Sequence, residues 1–267
     1  MINKTHIAAT YDAASDHFDD LPFWHHFGRR TIERLDVAPG SRVIDLCCGT
    51  GASALPAAER VGRDGGVLGV DLSRALIGIA RSRAQCAGLT NVAFRPGDID
   101  TLDVAPESFD AVVSVFGFFF SADMPGLLAR AWPWLKPGGL VAITSWGEHV
   151  LEPGESLFWD AVLKEDAGLT PVSPAERLST PEKIAAVFRD AGLGPPVIEA
   201  ETWQMPLASP EDFWPCVLGS SSRGVLDALP ADAQARVRHA TVEGLRARGT
   251  TALRCDVLYT VARKRYT

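Results

Sequence analysis

The chain has 267 residues, 46% of them apolar and 22% charged, enough to bury a sizeable core and too apolar for a disordered chain. A formal net charge of −7 leaves no electrostatic footprint for nucleic acid or an anionic membrane. No apolar run follows a basic N-terminal segment and no stretch of about 18 apolar residues occurs, so neither secretion nor a membrane span is expected; five cysteines without CxxC spacing fit a reducing cytoplasm and no metal site.

Residues 1–38 read as one or two amphipathic helices ahead of the first strand. "RVIDLC", from Arg42, is a short apolar strand that runs into a glycine turn. "ASALPAAERV" then reads as a helix that tolerates Pro56 because it lies near the start. "GGVLGVDLS" is a second strand, with Ser73 placed to cap the helix "RALIGIARSRAQCA" and Gly88 placed to end it. "NVAFRPGD" is a third strand, and "FDAVVSVFGFFF" a fourth, apolar on both sides as an inner parallel strand must be. "KPGG" reads as a turn before a fifth strand, "LVAITSWG".

After Trp146 the alternation stops. "SLFWDAVLKEDAG" is a short helix, and "TPEKIAAVFRDAG" is a clear one, with Thr180 as N-cap, Pro181 in the first turn and Gly192 past the end. "PPVIEAETWQM" is a strand, Ser209 opens a helical stretch broken near Gly219, and "LRCDVLYTVARK" is the last strand. With no repeat and no low-complexity linker, one domain is expected. Its core covers about 39–147, 181–208 and 251–267, and cap segments cover about 1–38, 148–180 and 209–250.

The loop after the first strand carries the chemistry. Gly49, Thr50 and Gly51 let backbone approach a ligand at a helix N-terminus, and Asp71 ends the second strand about 20 residues on, where a carboxylate can accept both ribose hydroxyls. A nicotinamide site would match Gly49-x-Gly51-x-x-Ala54. Against it, Asp45 ends the first strand, where a carboxylate repels a pyrophosphate and suits an amine or sulfonium. Asp98 ends the third strand, suited to an adenine amino group, with the backbone of Ile99 facing the ring.

In "VIDLCCGTG", "GVDLS", "GDID", "FDAVVSVFGFFF" and "LKPGGLVAITSWG", over about residues 40–147, the chain resembles the class I S-adenosylmethionine-dependent methyltransferases. The resemblance is to the small-molecule branch, which includes ubiquinone/menaquinone-type and secondary-metabolite enzymes. It implies a Rossmann-like, doubly wound, mostly parallel seven-stranded sheet with an antiparallel C-terminal strand and helical cap insertions. It further implies S-adenosyl-L-methionine near Asp45 and the loop from Cys47 to Gly51, with Asp71 and Leu72 at the ribose. Asp98 and Ile99 would meet the adenine, Ser114 the amino-acid end, and Tyr11 would lie in a segment that covers the cofactor. The family loop reads acid-x-Gly-x-Gly-x-Gly. Cys47 replaces its first glycine, which a small side chain allows at negative φ.

Phe116, Phe118 and Trp146 sit at strand ends and are candidates to line a substrate cavity. Trp24, Phe158, Trp159, Phe213 and Trp214 of the cap segments, and Trp203, are further candidates to line the site, and most of them are expected to bury helix faces. After the fourth strand Ser114-Val115-Phe116-Gly117 stands where family members acting on nucleic-acid amines carry Asn/Asp-Pro-Pro-aromatic, so a small, mainly apolar acceptor is expected. An acceptor with an acidic proton calls for a base, for which His149 and His25 are the candidates. The expected activity is methyl transfer to O, N or C of a small hydrophobic metabolite, by a monomer or homodimer. The alternatives are a same-fold enzyme catalysing a non-methylating rearrangement or cyclisation, and a non-catalytic cofactor-binding protein.

Overall fold

The fold was taken from a computed structural model, which describes residues 3–169 and 173–265. The outermost residues of the first cap segment and of the last core stretch, and three residues inside the 148–180 segment, lie outside those described. Two helices, α1 (Lys4–Phe18) and α2 (Pro22–Arg34), precede the sheet. Strands β1 (Arg42–Leu46), β2 (Gly66–Asp71), β3 (Val92–Pro96), β4 (Phe109–Val115) and β5 (Leu135–Trp146) follow. They are connected by α3 (Ala54–Val61), α4 (Arg74–Cys86) and α5 (Met124–Ala131). The rest of the chain is α6 (Gly154–Glu165), α7 (Pro181–Asp190), β6 (Val197–Pro206), α8 (Trp214–Leu218), α9 (Ser222–Asp227), α10 (Ala231–Ala247) and β7 (Ala252–Arg263).

The seven strands form one sheet in the order β3-β2-β1-β4-β5-β7-β6. β1 to β5 pair in parallel, while β7 runs antiparallel to both β5 and β6. This is the Rossmann-like arrangement that the sequence implies. Its inner parallel strands β1, β4 and β5 are buried on both sides, while the edge strand β3 buries only Phe94, and alternate residues feed two cores. Ile44, Val112 and Val141 point into the larger one, together with α5 and α7; Val43, Ala111 and Ala142 point into the other, together with α3 and α4. The caps act as the sequence suggests. Ser73 Oγ accepts from the Leu76 N–H at 3.1 Å, and Thr180 from that of Lys183 at 3.4 Å.

Three boundaries differ from the sequence reading. β4 stops at Val115, because Phe116 adopts φ +53° and turns the chain away, so "FGFFF" leaves the sheet and ends in a turn of 3-10 helix. "KPGG" is not a turn between elements but an irregularity within β5, which already pairs with Phe109 through Leu135 and resumes at Leu140. Lys136 Nζ holds Asp110 at 2.8 Å there, and the Gly138 φ of +81° absorbs the bulge. Helix α5, which the sequence reading omits, supplies the crossover from β4 to β5. Its apolar residues Met124, Leu127, Leu128 and Ala131 recur at helical spacing, and the Asp123 side chain caps it. Among the described residues no helix is long and apolar enough to cross a membrane.

Candidate functional site

The first five strands are parallel, so their carboxyl ends open on one edge, where the order reverses between β1 and β4. A cleft of about 820 Å³, its open mouth included, lies at that edge. It brings together Cys47, Gly49, Asp71 and Leu72 from the ends of β1 and β2, and Asp98, Ile99 and Phe116 from beyond β3 and β4. Helix α1 lies over it through Lys4, Ile7, Ala8 and Tyr11. Asp12 fastens that helix down: its Oδ1 accepts from Ser73 Oγ at 2.5 Å and from the Ala75 N–H at 3.3 Å, at the N-terminus of α4.

Each carboxylate in the cleft has a different task. Asp71 Oδ2 accepts the Gly49 N–H at 2.8 Å and Oδ1 the Ser73 N–H at 2.9 Å, so it ties the glycine loop to β2. Burial pushes its carboxyl up against the pull of those two N–H groups. Asp98 Oδ1 and Asp100 Oδ2 each lie 2.5 Å from Lys4 Nζ, which places an ammonium at the outer end. Asp45 lies just beneath, 1% exposed. Its Oδ2 accepts from Ser53 Oγ at 2.7 Å, but its Oδ1 is buried with no partner. Burial raises its carboxyl to about 7. An acid kept dry with one oxygen free suits a cationic group and repels an anionic one.

Cys47 corrects the sequence reading of the loop. Its φ is +58°, not negative, so an L-residue holds a left-handed position that glycine takes without strain. The fold makes room for the side chain at Gly117, where an added Cβ would fall 2.2 Å from that of Cys47. Burial and the nearby Asp71 drive the thiol well above its usual range, so it is neutral packing rather than a nucleophile. Cys47→Gly exchanges left-handed strain for lost packing and should leave stability within about 1 kcal/mol. Cys47→Val adds a β-branch at positive φ against Gly117 and should cost about 2 kcal/mol or more in chemical denaturation.

A second cavity, of about 1000 Å³ with its opening, adjoins the first. The two share a wall of Tyr11, Trp24, Phe116 and Phe120. Phe116 stacks on Trp146 with ring centroids 4.0 Å apart, and Trp24 packs 5.7 Å from Phe116; the Trp24 indole N–H is buried without a partner. Of the aromatic candidates, Trp146 and Trp159 line this cavity along with Trp24 and Phe116.

Other candidates lie elsewhere. Phe118 is fully buried beneath, as are Phe158 and Phe213. Trp214 is a core residue, and Trp203 stacks on His26 at 4.1 Å. Ser114 Oγ is spent on the Leu46 carbonyl at 3.0 Å. Thr50 is fully buried; its hydroxyl donates to Asp19 at 2.6 Å and accepts from Arg83 at 3.1 Å. Gly51 turns its free side to Leu55 and Phe94. Neither histidine reaches either cavity. His149 is exposed, with Nδ1 2.8 Å from Asp256 Oδ2, and His25 lies on a separate groove, 3.3 Å from Asp19. The sequence reading omits Lys4, Asp12 and Glu155. Only Glu155 left a signal, as an acid one turn before Trp159 in an otherwise apolar helical stripe.

Comparison with known proteins agrees with this geometry. Residues 43–139 match a family model described as a methyltransferase domain. Over 144 residues the chain is 36% identical to aklanonic acid methyltransferase DauC of Streptomyces sp. strain C5, covering 53% of this chain and 66% of that protein. Over 190 residues it is 30% identical to nocamycin O-methyltransferase of Saccharothrix syringae, covering 71% of this chain and 65% of that one. Both matches fall short of two thirds of the relative's length. The solved structure of the YcgJ protein from Bacillus subtilis superposes with a TM-score of 0.59 at 20% identity, covering 91% of this chain and 100% of that chain, a likeness of fold.

Proposed function

From a chain whose residues 43–139 form a methyltransferase domain of the class I S-adenosylmethionine-dependent family, we propose an enzyme that methylates a small, mainly hydrophobic metabolite. The observation that carries this reading is the pair of cavities sharing one aromatic wall, with carboxylate strand ends in the first. S-adenosylmethionine, when bound, supplies an electrophilic methyl group. The residues present fit it: Asp45 offers an unpartnered buried oxygen to its positive end, Asp71 a carboxylate to the ribose, and Asp98 with Ile99 the adenine edge. Lys4 and Tyr11 on α1 close the cleft against water.

Trp24 and Phe116 of the shared wall, with Trp146 beside them, hold the acceptor's apolar body where the two cavities adjoin. Alignment in a dry site provides most of the acceleration in a displacement of this kind. The relatives are named as methyltransferases, which does not favour the rearrangement or sensor alternatives. The names of these relatives support a secondary-metabolite acceptor, and the negative net charge supports a substrate other than nucleic acid. A cytoplasmic location and a monomer or homodimer complete the proposal. Incubation with S-adenosylmethionine and a library of hydroxylated aromatic and polyketide acceptors should yield a product one methylene heavier together with S-adenosylhomocysteine. Turnover that leaves the acceptor mass unchanged would select the rearrangement instead.

A further inference from the structure

We propose that Glu155 is the proton acceptor for the acceptor substrate, and that the second cavity takes an uncharged molecule with an acidic hydroxyl and excludes carboxylates. This rests on the methyltransferase reading and names its substrate class.

Glu155 stands in the first turn of α6 and lines the cavity, where its Oε1 accepts the Trp159 indole N–H at 3.0 Å. The aromatic wall shared with the cofactor cleft lines the same cavity. Two further carboxylates, Glu148 and Glu152, line it, with Ser173 and Ser220 to Ser222, and no Lys, Arg or His is present among its described lining residues. The titratable groups near Glu155 are therefore Glu152, the neutral Cys216 thiol from α8, and Glu148 and Tyr11, which line the same cavity. The pair that α6 makes with α10, Glu165 with Arg236, sits at the opposite end of the helix. Burial first, and Glu152 second, lift the Glu155 carboxyl to about 7 against the Trp159 hydrogen bond.

That environment sets the substrate chemistry. A carboxylate or phosphate would add a further anion to a cavity whose described lining offers three carboxylates and no counter-charge, and like charges repel. An ammonium would be held protonated by the carboxylates and so kept from acting as a nucleophile. A hydroxyl can hand its proton to Glu155 as its oxygen attacks, so that the carboxylate and the sulfonium are neutralised together and the summed charge of cavity and cofactor stays constant. In that step the O–H bond breaks, one C–O bond forms, one S–C bond breaks, and the proton passes from Glu155 to solvent. A group that titrates close to neutral pH is well matched to this role.

The test uses the whole protein saturated with S-adenosylhomocysteine, with 1-naphthol and 1-naphthoate as probes of the cavity, read by quenching of tryptophan fluorescence. Naphthol should bind at least tenfold more tightly than naphthoate at pH 8. Its affinity should rise with pH through about 7 as Glu155 becomes a charged acceptor, while that of naphthoate falls. Glu155→Gln should flatten both dependences and leave the affinity for S-adenosylhomocysteine within about twofold; Glu155→Asp, which keeps a carboxyl, should retain them. Difference infrared spectra should show carboxyl groups titrating near neutral pH, of which one is lost in Glu155→Gln and another, that of Asp45, remains. Equal or tighter naphthoate binding, or pH slopes unchanged in Glu155→Gln, would overturn the assignment. Failure of the wild type to bind S-adenosylhomocysteine would sink the parent reading and this one with it.

Discussion

Asp71→Ala should weaken S-adenosylhomocysteine binding by tenfold to about a hundredfold and lower stability by about 2–3 kcal/mol, the range for losing hydrogen bonds to a charged group. The affinity loss follows from the place of Asp71 at the end of β2, inside the cleft. The stability loss follows from what its carboxylate already holds. Both oxygens accept backbone N–H groups, one from Gly49 and one from Ser73, so removing them frees the glycine loop and leaves buried donors unpaired. These two hydrogen bonds make Asp71 a structural residue as well as a ribose candidate. Asp71→Asn keeps one acceptor and should fall between the two. Calorimetry with S-adenosylhomocysteine and urea denaturation check the two effects separately, and unchanged affinity would remove the ribose assignment.

Asp45→Asn should have opposite effects on stability and binding. In the folded protein burial lifts this carboxyl to about 7, while in the unfolded chain it titrates at an ordinary value of about 4. The folded state therefore holds the proton more tightly, and wild-type stability falls as pH rises from about 4 to about 7. Above that the loss is complete, on the order of 2–4 kcal/mol. Asparagine carries no charge and still accepts from Ser53, so the ligand-free variant should gain on the wild type across that window and level off above it. Glu155 titrates in the same range but is present in both proteins, so it cancels from the difference. With S-adenosylhomocysteine the ranking should reverse if Asp45 serves as proposed, because the variant lacks the anion assigned to the ligand's ammonium group; a tenfold or greater loss of affinity is expected. Melting curves of both proteins from pH 4.5 to 8.5, with and without the ligand, read the whole pattern; parallel curves would contradict it.

How far the sequence revealed the site depends on what each residue does. The places of Asp71 and Asp98 in the cleft were legible because one ends a strand and the other follows one by two residues, and a parallel sheet brings strand ends to one edge; Asp45, inside the end of β1, lies behind the lining. Gly49 was legible from its spacing to them. Phe116 and Trp146 follow the same rule, whereas Phe118 fails it because β4 ends three residues earlier and the chain turns inward. His149 also follows a strand end, but Asp256 on the antiparallel β7 draws it to the surface, and pairing between distant strands is not written in local pattern. Lys4 and Asp12 escaped for the same reason. Their partners lie across the fold, at Asp98, Asp100 and Ser73, and a helix with mixed polarity does not announce which face will lie over a ligand. The left-handed Cys47 could have been anticipated: the glycine that it replaces stands in a tight turn, and a matching gap exists at Gly117.

A calorimetric titration of the wild-type protein with S-adenosylhomocysteine, repeated with NAD, decides whether this cleft is a cofactor site of the kind described. A single site for S-adenosylhomocysteine per chain, weakened in both Asp45→Asn and Asp71→Ala, with no heat from NAD, is the outcome required. Binding of NAD in place of S-adenosylhomocysteine, or no binding of either, would contradict it.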